Sequence, residues 1–430
     1  MKRIDFENGT VTRNILGAAL PMLIAQILNL LYNIVDRIYI SRIPDVGTRA
    51  LGAVGLCFPV ITIITAFANL FGGGGAPLFS IYRGQKEEHK AGRIMNTSFT
   101  MLCFGAIVLM SVGLLTARPL LVLFGASADT LPFAQPYIMI YLIGTLPSMI
   151  AVGMNPFINA QGYALIGMSS VAVGAAANLL LDPLFIFVLG LGVEGAAIAT
   201  VISQFLSAAF VLYFLMRKAE LKVRLLRKYE FRGCFGYAKN IVSLGTAGFI
   251  MQLTNSLVTI CCNNVLSVTS GDLYISVMTI VSSIRQIIDT PIHAVTEGSS
   301  PVISYNYGAG NAGRVKSAFK LLLKVSLCYS TILWGAVMLF PDVFAGMFTT
   351  EADLIVFTRP ALRIYMAVML IFGIQMACQM TFNALGRAVE SIVVAVMRKF
   401  ILLLPLIYIM PLLFSSNKTM AVYLAEPAAD

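Results

Sequence analysis

Two aspartates within apolar stretches are the residues best suited to chemistry in this sequence. Asp36 stands beside Arg37. Asp182 closes the run that begins at Asn178, and Pro183 follows it. A carboxylic acid in a low-dielectric pocket holds its proton more tightly, and a neighbouring acid strengthens the effect, so such a pair can load and release a proton near neutral pH. Carboxylate and amide oxygens also suit sodium, a hard cation. We therefore expect an ion-coupling site, with sodium possible at Asp36, Asp182 and Asn178.

A second line of polar residues recurs at every fourth position, which places its members on one face of a helix. These residues are Arg285, Asp289, His293 and Glu297. We expect Arg285 and Asp289 to neutralise each other. Glu297 is a candidate for binding a cationic substrate or a coupling ion, with a packed, protonated acid as the alternative. His293 is either a further substrate-binding candidate or a core residue whose hydrogen bonds are satisfied.

Composition identifies the elements that must position these groups. Hydrophobic residues make up 58% of the 430 residues and charged residues only 12%, against about 25% charged in a typical soluble domain. A helix needs about 20 apolar residues to cross about 30 Å of hydrocarbon. The chain is therefore predicted to be an all-α polytopic membrane protein. Its two histidines and seven scattered cysteines give no sign of a zinc site, disulfide framework or catalytic triad, so we expect neither an enzyme nor a cofactor.

The apolar runs predict eleven full spans and a twelfth that is short. Because about ten residues cross only half a bilayer, we expect the sequence to end inside the twelfth span. The predicted spans cover about residues 15–39, 51–81, 95–116, 132–158, 163–188, 194–216, 240–265, 273–303, 317–340, 355–383 and 390–413, with the short run from 421.

The distribution of basic residues predicts the orientation, since Lys and Arg concentrate in cytoplasmic loops. With a cytoplasmic N-terminus, 21 of the 30 basic residues fall on the inside. This set includes eight in the loop at residues 217–239, together with Arg398 and Lys399. The net charge of +10 is therefore interpreted as a topology signal, and we expect no nucleic-acid partner.

The sequence contains an internal repeat. The pattern Gly74-x-x-Pro-x-x-Ser-x-x-x-Gly recurs at Gly298, and at the same offset Asn159-Ala-Gln-Gly recurs as Asn383-Ala-Leu-Gly. We predict two parallel six-helix lobes about a pseudo-two-fold axis along the membrane normal, with the substrate cavity between them. The predicted N-lobe covers residues 1–216, a linker 217–239, and the C-lobe 240–430. A nearly equal offset pairs four further substrate-binding candidates: Gln26 and Asn29 with Gln252 and Asn255.

Comparison of the two repeats indicates whether the two aspartates have a structural or a functional role. Asp36 corresponds to Cys262 and Asp182 to Leu404, so only the first lobe has the acids. A scaffold role would be shared by both lobes. The asymmetry favours ion coupling over the structural alternatives, in which Asp36 pairs with Arg37 and Asp182 caps local backbone.

A run of four glycines from Gly72 to Gly75 does not indicate nucleotide binding. It lies within an apolar span and lacks the Gly-Lys-Ser/Thr ending of a phosphate-binding loop. We expect close helix packing or a kink there.

Several motifs together resemble the multidrug and toxic compound extrusion (MATE) transporter family over the whole length, most closely its MepA-like bacterial branch. They are Tyr305-Asn-Tyr-Gly-Ala-Gly, the Asn-Ala-x-Gly pair at 159 and 383, Leu-Leu-Leu-Asp-Pro at 179–183, Val193-Glu-Gly-Ala-Ala-Ile-Ala-Thr and Ala425-Glu-Pro.

The resemblance implies a twelve-helix, two-lobed fold in the bacterial inner membrane that exchanges protons or sodium for amphipathic, often cationic drugs by alternating access. The family's first-lobe ion network is similar to Asp36, Tyr137, Asn178, Asp182, Thr200 and, nearer the cytoplasmic side, Asn155.

One departure from the family bears on the ion. The sodium-coupled branch has an acid in span 10, where this sequence offers Gln375 and Gln379. We expect a proton-coupled exporter that works as a monomer, with sodium at the first-lobe site as the alternative. The alternative function is a flippase for lipids or lipid-linked oligosaccharides, which would line the cavity with basic residues. A receptor or channel fits less well, since the loops are short.

Overall fold

The computed structural model describes residues 3–44, 46–226, 230–269, 272–348, 351–414 and 418–429, and this part of the chain is helical without strands. Three π-helical turns, Leu184–Val188, Phe214–Lys218 and Met397–Leu403, interrupt or extend helices. The α-helices are α1 (Val11–Ser41), α2 (Gly47–Gly84), α3 (Glu88–Leu123), α4 (Leu131–Ile143), α5 (Thr145–Ala160), α6 (Ala164–Pro183), α7 (Gly192–Tyr213), α8 (Phe231–Thr269), α9 (Asp272–Gly308), α10 (Ala312–Leu339), α11 (Pro341–Gly346), α12 (Ala352–Tyr365), α13 (Met369–Ala384), α14 (Ala388–Val396), α15 (Leu404–Leu413) and α16 (Lys418–Ala429).

These helices make a multi-pass membrane protein. Among the described residues, seven continuous helical segments are long and apolar enough to cross a bilayer. Two bent pairs, α4 with α5 at 57° and α12 with α13 at 48°, bring the number to nine if each pair crosses as one span. Helices α8 and α9 coincide with predicted spans 7 and 8 and have 39 and 37 residues. Gln252 of α8 and Glu297 of α9 lie at the contact between the two halves of the molecule.

The bends recur at equivalent places in the repeat. The first bend is at Gly144, and the second follows Tyr365 and ends at Val368. The offset that relates Gly74 to Gly298 also relates Gly144 to Val368. At Gly144 a β-carbon would lie 2.7 Å from the side chain of Val201, so close packing requires a glycine there. The repeat seen in the sequence thus extends to the shape of the helices.

Two large hydrophobic cores correspond to two lobes. One core contains buried residues from Ile40 to Ile241, and the other contains residues from Val258 to Ala429. The start of α8, at Ile241, therefore packs with the first core although it precedes the second lobe. The all-α, two-lobed architecture is confirmed, while the exact domain boundaries given above stay a prediction.

The lobes contact each other through repeat-related pairs of small residues. On one side Gly74 of α2 meets Gly245 of α8, where a β-carbon on Gly74 would lie 2.7 Å from the Gly245 nitrogen. On the other side Gly298 of α9 meets Ala19 of α1, where a β-carbon on Gly298 would lie 2.5 Å from the Ala19 Cα. Each lobe thus packs the first helix of its own repeat against the second helix of the other.

A further symmetric contact joins the ends of α2 and α9. A β-carbon on Gly84 would overlap the carbonyl oxygen of Tyr305, and one on Gly308 would overlap that of Ile81. These backbones touch at the end of the molecule that carries the N-terminus, which we predict to be cytoplasmic. The four-glycine run is likewise a packing motif, as predicted, since Gly72 lies against the backbone of Gly153.

The N-terminal strap, residues 3–9, crosses from one lobe to the other at this end. Its Ile4 nitrogen donates to the Gly162 carbonyl of the N-lobe at 2.9 Å. Phe6 is buried in the C-lobe, and the Arg314 guanidinium donates to its carbonyl at 3.1 Å. Glu7 forms an ion pair with Lys86 at 2.5 Å, and this hydrogen bond holds the pKa of Glu7 below its ordinary value. The strap therefore fastens the two lobes together.

One part of the topology prediction is wrong. Arg398 and Lys399, counted above with the cytoplasmic basic residues, lie in the π-helical turn between α14 and α15 and are buried. Both lie within 3.5 Å of a carboxylate oxygen of Glu426 on α16. A buried acid from another helix balances their charge, and a pairing between segments so far apart in the chain has no periodic signal in the sequence.

The neighbouring glycines of α2 give a matched test of the lobe contact. We expect Gly74→Ala to destabilise the protein by about 1–3 kcal/mol, because the new methyl group overlaps the backbone of α8. We expect Gly73→Ala to be tolerated, because no atom outside the local helix lies within 4 Å of a β-carbon there. The measurement is the midpoint temperature of heat-induced loss of the monodisperse peak of detergent-solubilised protein. Equal midpoints for the two variants would contradict the contact.

Candidate functional site

The two aspartates of the first lobe come together. Asp36 on α1 and Asp182 on α6 interact directly through their carboxyl groups. Asp182 is fully buried and Asp36 is half-buried. Because α6 continues as a π-helical turn after Pro183, the regular hydrogen-bond ladder changes next to Asp182. Two acids in contact in a low-dielectric site cannot both be ionised without strong repulsion.

Predicted members of the ion network surround this pair. The Asn178 amide donates to Asp182 Oδ1 at 3.2 Å and to the Thr200 hydroxyl at 3.3 Å. This links α6 to α7 one helical turn below the acid. Tyr137 of α4 is buried and close enough to both aspartates to interact with them electrostatically. Five of the six predicted ion-coupling residues, Asp36 included, therefore share one site.

Asn155 does not join the other five. Its amide donates to the Gly167 carbonyl at 2.9 Å and to the Ser170 hydroxyl at 2.8 Å. Ser170 precedes Asn178 by about two turns of α6, which is about 12 Å along a helix. Asn155 thus links α5 to the first half of α6, away from the carboxyl pair.

Sequence reasoning missed three residues of the site. Tyr141 stacks on Tyr137 with ring centroids 6.4 Å apart and accepts a hydrogen bond from Gln204 at 3.1 Å. Tyr32 lies near both aspartates and Tyr141. Each of the three stands four positions from a predicted member in the sequence. The i to i+4 spacing of a helix would have been enough to find them.

The structural alternative for Asp36 is not supported. Within the described residues Arg37 forms no ion pair with Asp36, and its guanidinium carbon lies 4.5 Å from the ring centroid of Phe58 on α2. No ion pair within the described part of the chain involves Asp36 or Asp182. The carboxyl pair is therefore not neutralised by a fixed cation there.

Three oxygens of the site lack a hydrogen-bond donor within the described residues. They are Asp36 Oδ1, Asp182 Oδ2 and Asn178 Oδ1, all of them buried. Buried acceptors without donors are costly, so the two carboxylate oxygens are available to a proton and all three oxygens to a small hard cation. The donor set is all oxygen, which suits sodium as well as a proton.

A second set of polar residues joins the lobes. The Gln26 amide of α1 donates to Glu297 of α9 at 3.0 Å, and the Asn69 amide of α2 donates to Gln252 of α8 at 2.8 Å. Gln26 and Gln252 are repeat-related, but their partners are not, since Asn69 corresponds to His293, one helical turn before Glu297. Glu297 is exposed even though its helix packs between the lobes. Since ionisable groups within membrane spans face a protein interior or a water-filled cavity, we infer that Glu297 faces the cleft.

The remaining substrate-binding candidates flank these bonds. Asn29 and Asn255 are exposed, one helical turn beyond Gln26 and Gln252. His293 is half-buried, one turn before Glu297. The structure thus arranges all six candidates along the contact between the lobes.

The predicted pairing on α9 is confirmed and belongs to a larger buried cluster. The Arg285 Nε lies 2.9 Å from Asp289 Oδ2. The guanidinium of Arg285 also lies 4.5 Å from the centroid of Phe372, and that of Arg398 lies 5.4 Å from it. Arg285 interacts electrostatically with Glu426 as well. These basic groups are paired and packed inside the C-lobe.

Curated relatives match almost the whole chain. The multidrug export protein MepA of Staphylococcus aureus (strain MSSA476) is 25% identical over 416 residues, covering 95% of this chain and 89% of the relative. The MepA protein of Staphylococcus haemolyticus (strain JCSC1435) is 24% identical over 410 residues, with the same coverage of 95% and 89%.

Solved structures share the fold. The outward-facing conformation of a multidrug resistance MATE family transporter of the MOP superfamily has a TM-score of 0.90 at 23% identity, covering 100% of this chain and 94% of that one. A MOP superfamily transporter from Pyrococcus furiosus, described as having a binding pocket of reverse polarity that suggests a different function, has a TM-score of 0.88 at 23% identity, covering 100% and 96%. These likenesses establish the architecture.

The MatE family model matches residues 21–184 and again residues 248–409. The two matches fall on the two lobes and together span most of the chain. The matched relatives are export proteins, which confirms the expectation that the chain is not an enzyme. The resemblance inferred from the motifs is likewise confirmed: this chain belongs to the MatE family of membrane transporters.

Proposed function

We propose that this chain is a multidrug exporter that moves amphipathic, often cationic compounds out of the cell in exchange for protons. The observation that carries the proposal is the contact between Asp36 and Asp182 without a fixed cation in the described residues. The MepA relatives, which are named as multidrug export proteins, support the same activity. We place the protein in the bacterial inner membrane, as a monomer with a cytoplasmic N-terminus.

The carboxyl pair supports coupling because its charge depends on what occupies it. One proton shared between the two acids relieves their repulsion, and its loss restores the repulsion. Asp36 and Asp182 stand on different helices, so the change in repulsion acts on the distance between α1 and α6. Since α1 also packs against α9 of the other lobe, a movement of α1 reaches the contact between the lobes.

The symmetric glycine contacts support alternating access. Gly84 and Gly308 close the molecule at the N-terminal end. Their contacts are between backbones and include no ion pair, so parting these two residues breaks no charge pairing, and the Glu7–Lys86 pair of the strap is the charged fastening at this end. Rocking of the two lobes about their pseudo-two-fold axis would open this end and close the other.

The cleft supports a cationic substrate. Glu297 is the acid exposed at the lobe contact, and Gln26 holds its carboxylate by one oxygen, Oε2. Three basic residues within helical spans of the C-lobe, Arg285, Arg398 and Lys399, are buried and paired with acids. A flippase for pyrophosphate-linked or phosphate-bearing lipids would require exposed basic groups in the cleft, so this arrangement favours the exporter.

The energetics are sufficient for a single proton. One elementary charge crossing 100 mV releases about 2.3 kcal/mol, and one pH unit adds about 1.4 kcal/mol. Together these support a drug gradient of about several hundredfold.

The carboxyl pair gives the first functional test. We expect Asp36→Asn and Asp182→Asn to insert and fold normally but to lose proton-driven efflux of ethidium from energised cells, because an amide cannot take up the proton. Asp129→Asn is the matched control, since Asp129 is an exposed acid of the same lobe. Efflux by both site variants at the rate of the control would refute the coupling assignment.

Reconstituted protein identifies the coupling ion. In proteoliposomes, a pH gradient imposed without sodium should drive ethidium transport, because the proton alone relieves the repulsion within the pair. A sodium gradient at uniform pH should leave transport unchanged. Transport driven by a sodium gradient alone would contradict proton coupling. It would identify sodium as the coupling ion, bound at Asp36, Asp182 and Asn178.

The substrate role of Glu297 is tested by neutralising its charge. We expect Glu297→Gln to raise the KM for ethidium by about tenfold or more, corresponding to loss of about 1.4 kcal/mol of charge attraction. The KM for an uncharged amphipathic compound should stay the same, because Gln keeps the size and hydrogen bonding of the side chain. Equal KM changes for both compounds would assign Glu297 a structural role instead.

A further inference from the structure

The two lobes differ on the outer face of one repeat-related helix pair, α3 and α10. In the N-lobe the chain that follows α7 lies back along α3. The Arg224 nitrogen donates to Asn96 Oδ1 at 2.9 Å, and the Leu226 nitrogen donates to the Thr100 hydroxyl at 3.2 Å. Gln161 completes this attachment. The linker thus covers the first half of α3.

The Gln161 side chain makes two hydrogen bonds to the backbone of Leu221 in the linker. Its Oε1 accepts from the Leu221 nitrogen at 3.0 Å, and its amide donates to the Leu221 carbonyl at 3.2 Å. Val223 of the linker is buried as a result. Three side chains, those of Asn96, Thr100 and Gln161, therefore hold the covering segment by its backbone.

The C-lobe has none of these three holding groups. The offset that relates Gly84 to Gly308, and the start of α3 to the start of α10, places lysines at the first two positions and a leucine at the third. Asn96 becomes Lys320, Thr100 becomes Lys324 and Gln161 becomes Leu385. A leucine side chain cannot hydrogen-bond a backbone, and two lysines offer no acceptor. The equivalent face of α10 is therefore not built to receive a segment of chain.

This face instead carries a lysine row, formed by Lys316, Lys320 and Lys324. The spacing of four residues places all three on one side of α10. All three are exposed, and within the described residues none of them forms an ion pair. The nearby acids of the strap are engaged elsewhere, since Asp5 accepts from Asn8 and Glu7 pairs with Lys86.

We propose that the lysine row binds the phosphate headgroups of anionic phospholipids in the leaflet on the N-terminal side of the membrane. Lys324 lies about 18 Å along the helix from the start of α10, within a segment apolar enough to span. A lysine at that depth extends its ammonium toward the headgroup layer. Lys316 and Lys320 lie nearer the start of α10 than Lys324 does. The three ammonium groups are therefore spread over different depths of the headgroup layer. Each lysine near an anionic surface contributes about a fivefold preference.

The chemistry separates this row from ordinary cytoplasmic basic residues. Arg83 and Arg224 are paired with Glu220 and Glu230 and hold protein segments together. The lysine row has no such acid within the described residues, and it lies on a helix whose other side packs against α9 and α13. Its free side faces lipid.

A reporter beside Lys324 tests the proposal. Trp334 is the single tryptophan, so Trp334→Phe with Val325→Trp places one fluorophore next to the row, at an exposed position. The protein is reconstituted in phosphatidylcholine vesicles, and quenching is measured with dibrominated phosphatidylglycerol and with dibrominated phosphatidylcholine. We expect phosphatidylglycerol to be preferred at the reporter by about fivefold or more.

Two sets of substitutions decide the result. Changing all three lysines of the row to Gln should make quenching by the two lipids equal. Changing Lys218 and Lys222, two exposed lysines of the linker region, to Gln should leave the preference intact. Equal quenching by both lipids in the protein with the lysine row intact would overturn the proposal. So would a preference that survives its replacement.

Discussion

The low dielectric of the membrane interior makes an uncompensated charge the dominant constraint on this molecule. Three buried cations of the C-lobe are neutralised by ion pairs. Arg285 pairs with Asp289, and both Arg398 and Lys399 pair with Glu426. The N-lobe does the opposite, since Asp36 and Asp182 face each other and the nearby Arg37 is turned onto Phe58. A paired charge is permanent, whereas a contact between two acids changes its energy with every ion that enters or leaves. The buried cations of the C-lobe are thus electrostatically fixed, whereas the carboxyl pair of the N-lobe is electrostatically variable.

That scaffold depends on close approach of backbones at repeat-related positions. Gly74 against Gly245 and Gly298 against Ala19 bring helices of opposite lobes together with almost no side chain between them. Interfaces of small residues are common between membrane helices, because dispersion forces there increase with close fit. Because no large side chains interlock at these contacts, the two helix surfaces can separate and come together again without rearranging side chains. The contact therefore serves a rigid fold and a moving one equally well.

Much of this could be predicted from the sequence, since periodicity and repetition are local signals. The apolar runs predicted the helices, and the constant offset between repeated motifs predicted two lobes. The spacing of Arg285 and Asp289 predicted their ion pair, and the motifs indicated the family. The remaining features depend on contacts between distant segments. Glu426 neutralises Arg398 from another helix, and no local pattern marks Arg398 as a buried residue. Asn155 belongs with Ser170 and not with the acids, because resemblance alone does not fix its depth on α5. The bend at Gly144 is followed by Pro147, whereas the repeat-related bend at Val368 has no such proline to mark it in the sequence.

The strap gives the molecule an order of assembly. Phe6 and Arg314 are separated by 308 positions along the chain, so the pocket that receives this aromatic ring does not exist until α9 and α10 have been synthesised and inserted. Until then the segment has only partners that precede the C-lobe, among them the Gly162 carbonyl and Lys86. Seating of the strap is consequently a late event in biogenesis, and it reports that both halves have reached their places. A bulky fusion attached close to Arg3 would delay this final step without touching a single membrane helix.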